Sequence, residues 1–253
     1  MNRIAIVTGA SAGIGRATAL ILARNEFDVV ITGRRGDQLE TLEEEIRSKT
    51  ESDVLSLAFD IRDQGAAEKA VQRLTGKWLK VDLLVNNAGL AAGLNHIHEG
   101  ELNDWEQMID TNLKGLLYIT RLIAPGMVER KTGHIINIGS IAGKEAYEKG
   151  NVYNATKFGV DGLTRAMRID LVEHGIKVTS INPGAAETEF SMVRFKGDQE
   201  KVVKVYEGFT PLYAEDIAEA ILFAVTRPPH VNIDDLTIMA TAQASATKIA
   251  RKT

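Results

Sequence analysis

Cysteine is absent from this chain, which excludes disulfides, thiolate nucleophiles and cysteine-based metal sites. The absence fits a reducing compartment. Proline is scarce, with 5 residues in 253, and no proline- or serine-rich tract marks a linker, so one domain is expected across residues 1–253. Long apolar runs are missing too. The N-terminus, "MNRIAIVTGA", has one arginine and a four-residue apolar run, too short for the core of a signal peptide. Nothing approaches the roughly 18 apolar residues that suggest a membrane span, so the expectation is a cytoplasmic protein with no membrane partner. A net charge of −4 supplies no basic surface for nucleic acid. The five histidines are scattered, and the His96/His98 pair lacks His-x-x-Glu-type spacing, so no metal site is expected.

What the chain does have is 44% hydrophobic residues, 25% charged residues and 22 glycines, the composition of an ordinary globular protein. Seven short runs rich in valine and isoleucine read as strands: "RIAIVT", "FDVVIT", "SDVLSLAF", "VDLLVNN", "GHIINIGS", "IKVTSIN" and "LTIMA". Their continuous apolarity predicts burial on both faces, as in a parallel sheet. Stretches such as "GRATALILARN" and "DQLETLEEEIRSK" carry apolar residues at helical spacing. This alternation predicts an α/β, Rossmann-like doubly wound sheet of about seven strands. The least regular stretch, residues 185–209, follows the sixth strand and is expected to cover the sheet's ligand edge.

After the first strand comes "TGASAGIG", with glycines at 9, 13 and 15. Glycines there permit a tight turn and a close backbone approach to a pyrophosphate at the next helix N-terminus. At the end of the second strand, where an acid would bind the ribose of NAD, stands Gly33, followed by Arg34 and Arg35. Guanidinium groups bind a 2′-phosphate that an aspartate would repel, which favours NADP over NAD.

Taken in order, these features and several downstream motifs resemble the short-chain dehydrogenase/reductase family over essentially the whole chain. "TGASAGIG" is similar to its cofactor loop, "NNAG" (Asn86–Gly89) to its fourth-strand motif, and "NPGAAET" (Asn182–Thr188) to its nicotinamide-side motif, with Ala186 replacing the usual valine. Asn112, Ser140, Tyr153 and Lys157 match its four catalytic positions. The resemblance implies that Ser11 and Ile14 help bind the cofactor phosphates, Asp60 and Ile61 contact adenine, and Asn86 and Gly89 line the adenosine ribose. It also implies that Pro183, Gly184, Ala186 and Thr188 serve the nicotinamide side, that Asn112 anchors a water relay, and that the chain forms homodimers or homotetramers. The helices implied for subunit contact lie near 104–129 and 151–174.

Tyr153 and Lys157 are four residues apart on a helix and share a face. A cation near a phenol lowers its pKa from about 10 by roughly 1–3 units. Tyr153 is thus expected to exchange a proton with a substrate oxygen held by Ser140, with Lys157 tuning it and holding the nicotinamide ribose. The C-terminal third, including "TEFSMVRFKGD" and "RPPHVNI", resembles a branch of the family acting with NADP on serine, allo-threonine and other small 3-hydroxy acids. Arg194 or Lys196 is expected to hold the carboxylate, while Glu187 in the pocket would oppose it. A broader carbonyl or 3-oxoacyl reductase and a non-catalytic NADP-binding regulator remain as alternatives. An intact Ser140, Tyr153 and Lys157 argue against the regulator.

Overall fold

The computed structural model describes residues 2–252. All seven expected runs form strands: β1 (Arg3–Val7), β2 (Phe27–Gly33), β3 (Val54–Ala58), β4 (Val81–Asn86), β5 (Gly133–Ile138), β6 (Ile176–Pro183) and β7 (Asp235–Ile238). They pair in parallel in the order β3-β2-β1-β4-β5-β6-β7. The helices are α1 (Gly13–Ala23), α2 (Gly36–Lys49), α3 (Gln64–Val71), α4 (Leu102–Ile109), α5 (Leu116–Arg130), α6 (Asn151–Leu171), α7 (Glu189–Arg194), α8 (Gln199–Tyr206) and α9 (Ala214–Val225). Among the described residues, no helix is long and apolar enough to cross a membrane.

The apolar strands are explained by a core on each side of the sheet. Side chains alternate across a strand, so Ala5 and Val7 of β1 meet α1, α2 and α9, while Ile4 and Ile6 meet α3, α5 and α6. The same division separates Val29 and Ile31 from Val30, and Ile136 from Ile135. Complete burial of Leu42, Leu83 and Met127 contributes roughly 1.5–3 kcal/mol each. β1 has β2 on one side and β4 on the other, so chain order reverses there. Ligands of such sheets bind in the crevice outside the strand ends at that reversal.

The helix expected near 104–129 is broken. A π-turn at Asp110–Gly115 separates α4 from α5, the kind of irregularity that concentrates at functional sites. Gly115 faces Ile61 there, and a Cβ on it would come within 2.9 Å of the Ile61 side chain.

His134 is buried inside β5. Thr179 gives its hydroxyl proton to the Ile233 carbonyl at 2.6 Å, so it accepts from His134 Nε2 at 2.8 Å, which assigns the Nε2–H tautomer. Nδ1 is buried without a partner. Burial, with smaller contributions from Lys177 and Arg3, lowers the pKa from 6.5 to about 3. Between those values the unfolded chain binds more protons, so stability is lost as pH falls below about 6.5. Replacing His134 by Gln is expected to reduce the stability lost between about pH 7 and about pH 5 by about 2 kcal/mol, read from urea midpoints at the two pH values.

Candidate active site

The turn after β1 is built by backbone constraints. Gly9 (φ 65°) and Gly13 (φ 51°) occupy the left-handed region, and a Cβ on Gly9 would lie 2.9 Å from the Ala88 backbone. Gly15 is helical, and a Cβ there would collide with the Gly9 carbonyl and the Asn87 amide. Asn87 in turn donates to the carbonyls of Thr8 (2.8 Å) and Gly9 (3.2 Å), tying this turn to the end of β4. Ala12 caps α1 without a side-chain hydrogen bond. The first-turn N–H groups therefore keep their capacity for an anion.

A cavity of about 620 Å³ opens at this crevice. Its wall includes Gly9, Ser11, Gly13, Ile14, Arg34, Arg35, Asp60, Ile61 and Gly89 toward one end. Ser140, Tyr153, Lys157, Pro183, Gly184, Ala186, Thr188 and Arg194 line the other. Three expected site residues stand behind the wall instead. Gly15 packs against the Gly9 carbonyl and serves the turn's geometry. Asn86 is buried, donating to Thr120 Oγ1 and Asn137 Oδ1 at 2.9 Å each, because side chains alternate and it is Asn87 that faces the crevice. The Asn112 amide accepts from Leu90 N–H (2.8 Å) and donates to Leu90 C=O (2.8 Å) and Thr156 Oγ1 (3.0 Å). Asn112 is thus a clasp between the loop after β4 and α6.

At the Gly33 position a Cβ would already touch Ser11 at 3.4 Å, leaving little room for a longer side chain. Arg35 donates to Ser11 Oγ at 3.1 Å and pairs with Glu189 at 2.9 Å. Asp60 is bonded by Arg62, which holds its carboxyl below the usual range against the opposing effect of burial.

At the other end, Ser140 Oγ accepts from Ala142 N–H at 3.1 Å and donates to the Pro183 carbonyl at 3.4 Å, on the cavity wall. Tyr153 is buried, and burial raises its pKa, aided by Tyr147. The Ser140 hydroxyl and the Arg194 guanidinium oppose the rise. Lys157 Nζ donates to the Ile138 carbonyl at 2.8 Å and lies 6.0 Å from the Tyr153 ring centre. Burial without an anionic partner lowers its pKa to about 8.

Residues 185–209 carry α7 and α8 and contribute Ala186, Thr188, Phe190, Arg194 and Tyr206 to the cavity wall. Thr188 caps α7, accepting from Phe190 N–H at 3.2 Å, and Phe190 packs on Tyr153 with ring centres 5.5 Å apart. Tyr206 of α8 donates to Ala186 C=O at 2.9 Å and accepts from Ser191 at 2.6 Å. Ala186 is engaged through its backbone carbonyl. Of the three charges weighed for the pocket, Arg194 lines it. Lys196 turns away to pair with buried Asp104 at 2.9 Å, and Glu187 is exposed and outside the cavity wall.

Sequence reasoning missed the C-terminal tail and Tyr147. Gln243 accepts from Ala185 N–H at 2.8 Å, and Ala246 donates to Glu145 at 2.8 Å. Arg251 bonds the carbonyls of Val205 and Glu207, so the tail is tied to the end of α8 and lines the same cavity. Nothing in its small-residue sequence, "ATAQASATKIA", signals this. His96 and His98 stack at 5.7 Å and lie near Glu148 and Glu99. No cluster of metal-ligating side chains occurs among the described residues.

Comparison with known proteins agrees with this geometry. The short chain dehydrogenase family model matches residues 3–199. The NADP-dependent 3-hydroxy acid dehydrogenase of Salmonella typhi is 48% identical, over 96% of this chain and 97% of that one. Sulfoacetaldehyde reductase 2 of Chromohalobacter salexigens is 41% identical, over 96% of each. A closed form of serine dehydrogenase complexed with NADP+ superposes with a TM-score of 0.91 at 43% identity, covering 99% of this chain and all of the other. The chain belongs to the short-chain dehydrogenase family.

Proposed function

We propose that this protein is an NADP-linked oxidoreductase interconverting the hydroxyl and carbonyl of a small 3-hydroxy acid. One observation carries the acid assignment: Arg194 presents Nε and Nη2, both buried and without partners, beside the Tyr153 ring. A buried unpaired donor costs free energy until an acceptor arrives, and a carboxylate matches the guanidinium fork. The names of the relatives agree, since a 3-hydroxy acid and sulfoacetaldehyde both carry an anion near the reacting carbon.

The residues fit NADP. The glycine turn lies on the cavity wall beside the uncapped N-terminus of α1, where a pyrophosphate would be held, and Arg34, Arg35 and Ser11 suit a 2′-phosphate. Bound NADP would supply the hydride donor or acceptor. Ser140 holds the substrate oxygen, and Tyr153 takes its proton in oxidation and returns it in reduction. Lys157 holds the nicotinamide ribose. Asn112, both amide atoms committed, positions α6 against the loop after β4. The whole chain serves as one nucleotide-binding domain, with residues 185–209 covering the substrate. Exposed apolar residues on α4, α5 and α6, including Leu102, Leu117, Phe158 and Ile169, support assembly as a homodimer or homotetramer. The lack of cysteine supports a cytoplasmic setting.

The direct test measures NADP+ and NAD+ reduction with serine, threonine isomers, 3-hydroxypropionate, 3-hydroxyisobutyrate and neutral secondary alcohols. Turnover of the acids with NADP+ is expected, and Tyr153→Phe should lower it by about 10²–10⁴-fold while NADP still binds. Activity confined to neutral alcohols would sink the acid reading. Replacing Arg34 and Arg35 by alanine is expected to weaken NADP by roughly 10- to 100-fold and NAD far less. Equal losses in a binding titration would remove the 2′-phosphate role. Lys157→Met should be inactive yet more stable near neutral pH, by up to about 3 kcal/mol. The lysine's folded pKa is lowered from 10.5 to about 8, so the unfolded state binds more protons between those values. The parent therefore gains stability as pH rises through that window, and the variant's advantage in thermal melts should shrink there.

A further inference from the structure

As the anchor of a substrate acid, Arg194 uses only its free N–H edge. Its guanidinium carbon also lies 5.6 Å from the centre of the Tyr153 ring and 5.5 Å from that of Tyr147. The surroundings of Tyr153 hold few other charges. Lys157 faces it from its own helix, Tyr147 from the preceding turn, Ser140 from the turn after β5, and Phe190 with Arg194 from α7. Leu90, Met108 and Ala142 complete an apolar setting. Asp104, paired with Lys196, lines a small neighbouring pocket together with Tyr153, Arg194, Glu101 and Lys149.

The two cations differ. Lys157 spends a proton on the Ile138 carbonyl and, with a pKa drawn down by burial, is partly neutral at mildly alkaline pH. A guanidinium keeps its charge throughout that range and sits well against an aromatic face. Arg194 also belongs to another element. It rides on the covering helix α7, whose seat includes Gly93 N–H donating to the Arg194 carbonyl at 3.0 Å.

We propose that Arg194 is a tuning cation for Tyr153, supplied from α7 rather than from the tyrosine's own helix. This rests on Tyr153 being the acid–base of the preceding section. The electrostatic claim nonetheless stands apart from which substrate is turned over. The same side chain presents its free edge to the substrate's anion and lies beside the phenol ring.

The test titrates tyrosine by phenolate ultraviolet absorbance in the full-length enzyme saturated with NADP+ and free of substrate. The matching Tyr153→Phe protein is subtracted to isolate Tyr153. Arg194→Gln is expected to move its ionisation to higher pH, lowering the phenolate fraction at a given pH about tenfold. Arg194→Lys, which keeps a cation, should restore most of that fraction. A merely structural Arg194 predicts the opposite direction: its loss would open the cover, relieve burial and let Tyr153 ionise at lower pH. That outcome overturns the proposal, as does an Arg194→Gln titration superimposed on the wild type. Because no turnover is measured, failure here is separable from failure of the hydroxy-acid assignment, which the substrate panel reads.

Discussion

The site depends on one conflict. In the proposed mechanism a phenol exchanges protons beside a hydride transfer and must be kept from water, and burial disfavours its phenolate. Tyr153 is buried, and that burial is the largest influence on its ionisation. Ser140 and Arg194 offset part of that penalty, Ser140 by a hydrogen bond and Arg194 by charge. The two cations near the ring are themselves costly to hold. Lys157 is out of water with one carbonyl as its partner, and Arg194 holds two buried N–H groups without any. Neither arrangement is what stability alone would select.

Such groups stay in place only if the backbone around them is fixed. The parallel sheet supplies that rigidity by burying both faces. The crevice is then tied across its width by side chains that never reach the cavity. Asn112 clasps Leu90 to Thr156, whose hydroxyl donates to the Tyr153 carbonyl at 2.8 Å. Asn86 joins α5 to β5, and Asn137 extends the chain to Thr164 of α6. A Cβ on Gly143 would strike the Lys157 backbone at 2.6 Å, so the turn after β5 can pack against α6 only as glycine.

Much of this was legible in the sequence, for physical reasons. All seven strands were readable because a doubly covered parallel sheet needs unbroken apolar runs. The glycine turn was readable because left-handed φ and close approach leave few substitutes. What escaped was set by tertiary contact rather than local pattern. Asn86 and Asn87 are adjacent and identical in type, and only the pleat decides that Asn87 faces the crevice. The π-turn lies within a pattern indistinguishable from continuous helix. The tail's contribution rests on backbone groups and on Gln243, whose partner is 58 residues away.

The charges of the cover make the same point more sharply. Arg194 and Lys196 are two positions apart and were equal candidates from composition. Residues at that spacing do not share a helical face, and α7 ends at Arg194, with Lys196 in the left-handed region at φ 52°. The chain therefore sends one cation inward to the tyrosine and the other outward to Asp104. Four residues from Arg194 to Phe190, and one more to Glu189, bring the same short helix from the phenol to Arg35. That exposed Arg35–Glu189 pair contributes at most about 1 kcal/mol, so its significance lies in position rather than strength. A single six-residue helix touches the guanidinium suited to the cofactor's phosphate and carries the guanidinium suited to the substrate's acid. The helix α7 thereby touches Arg35 through Glu189 and Tyr153 through Phe190.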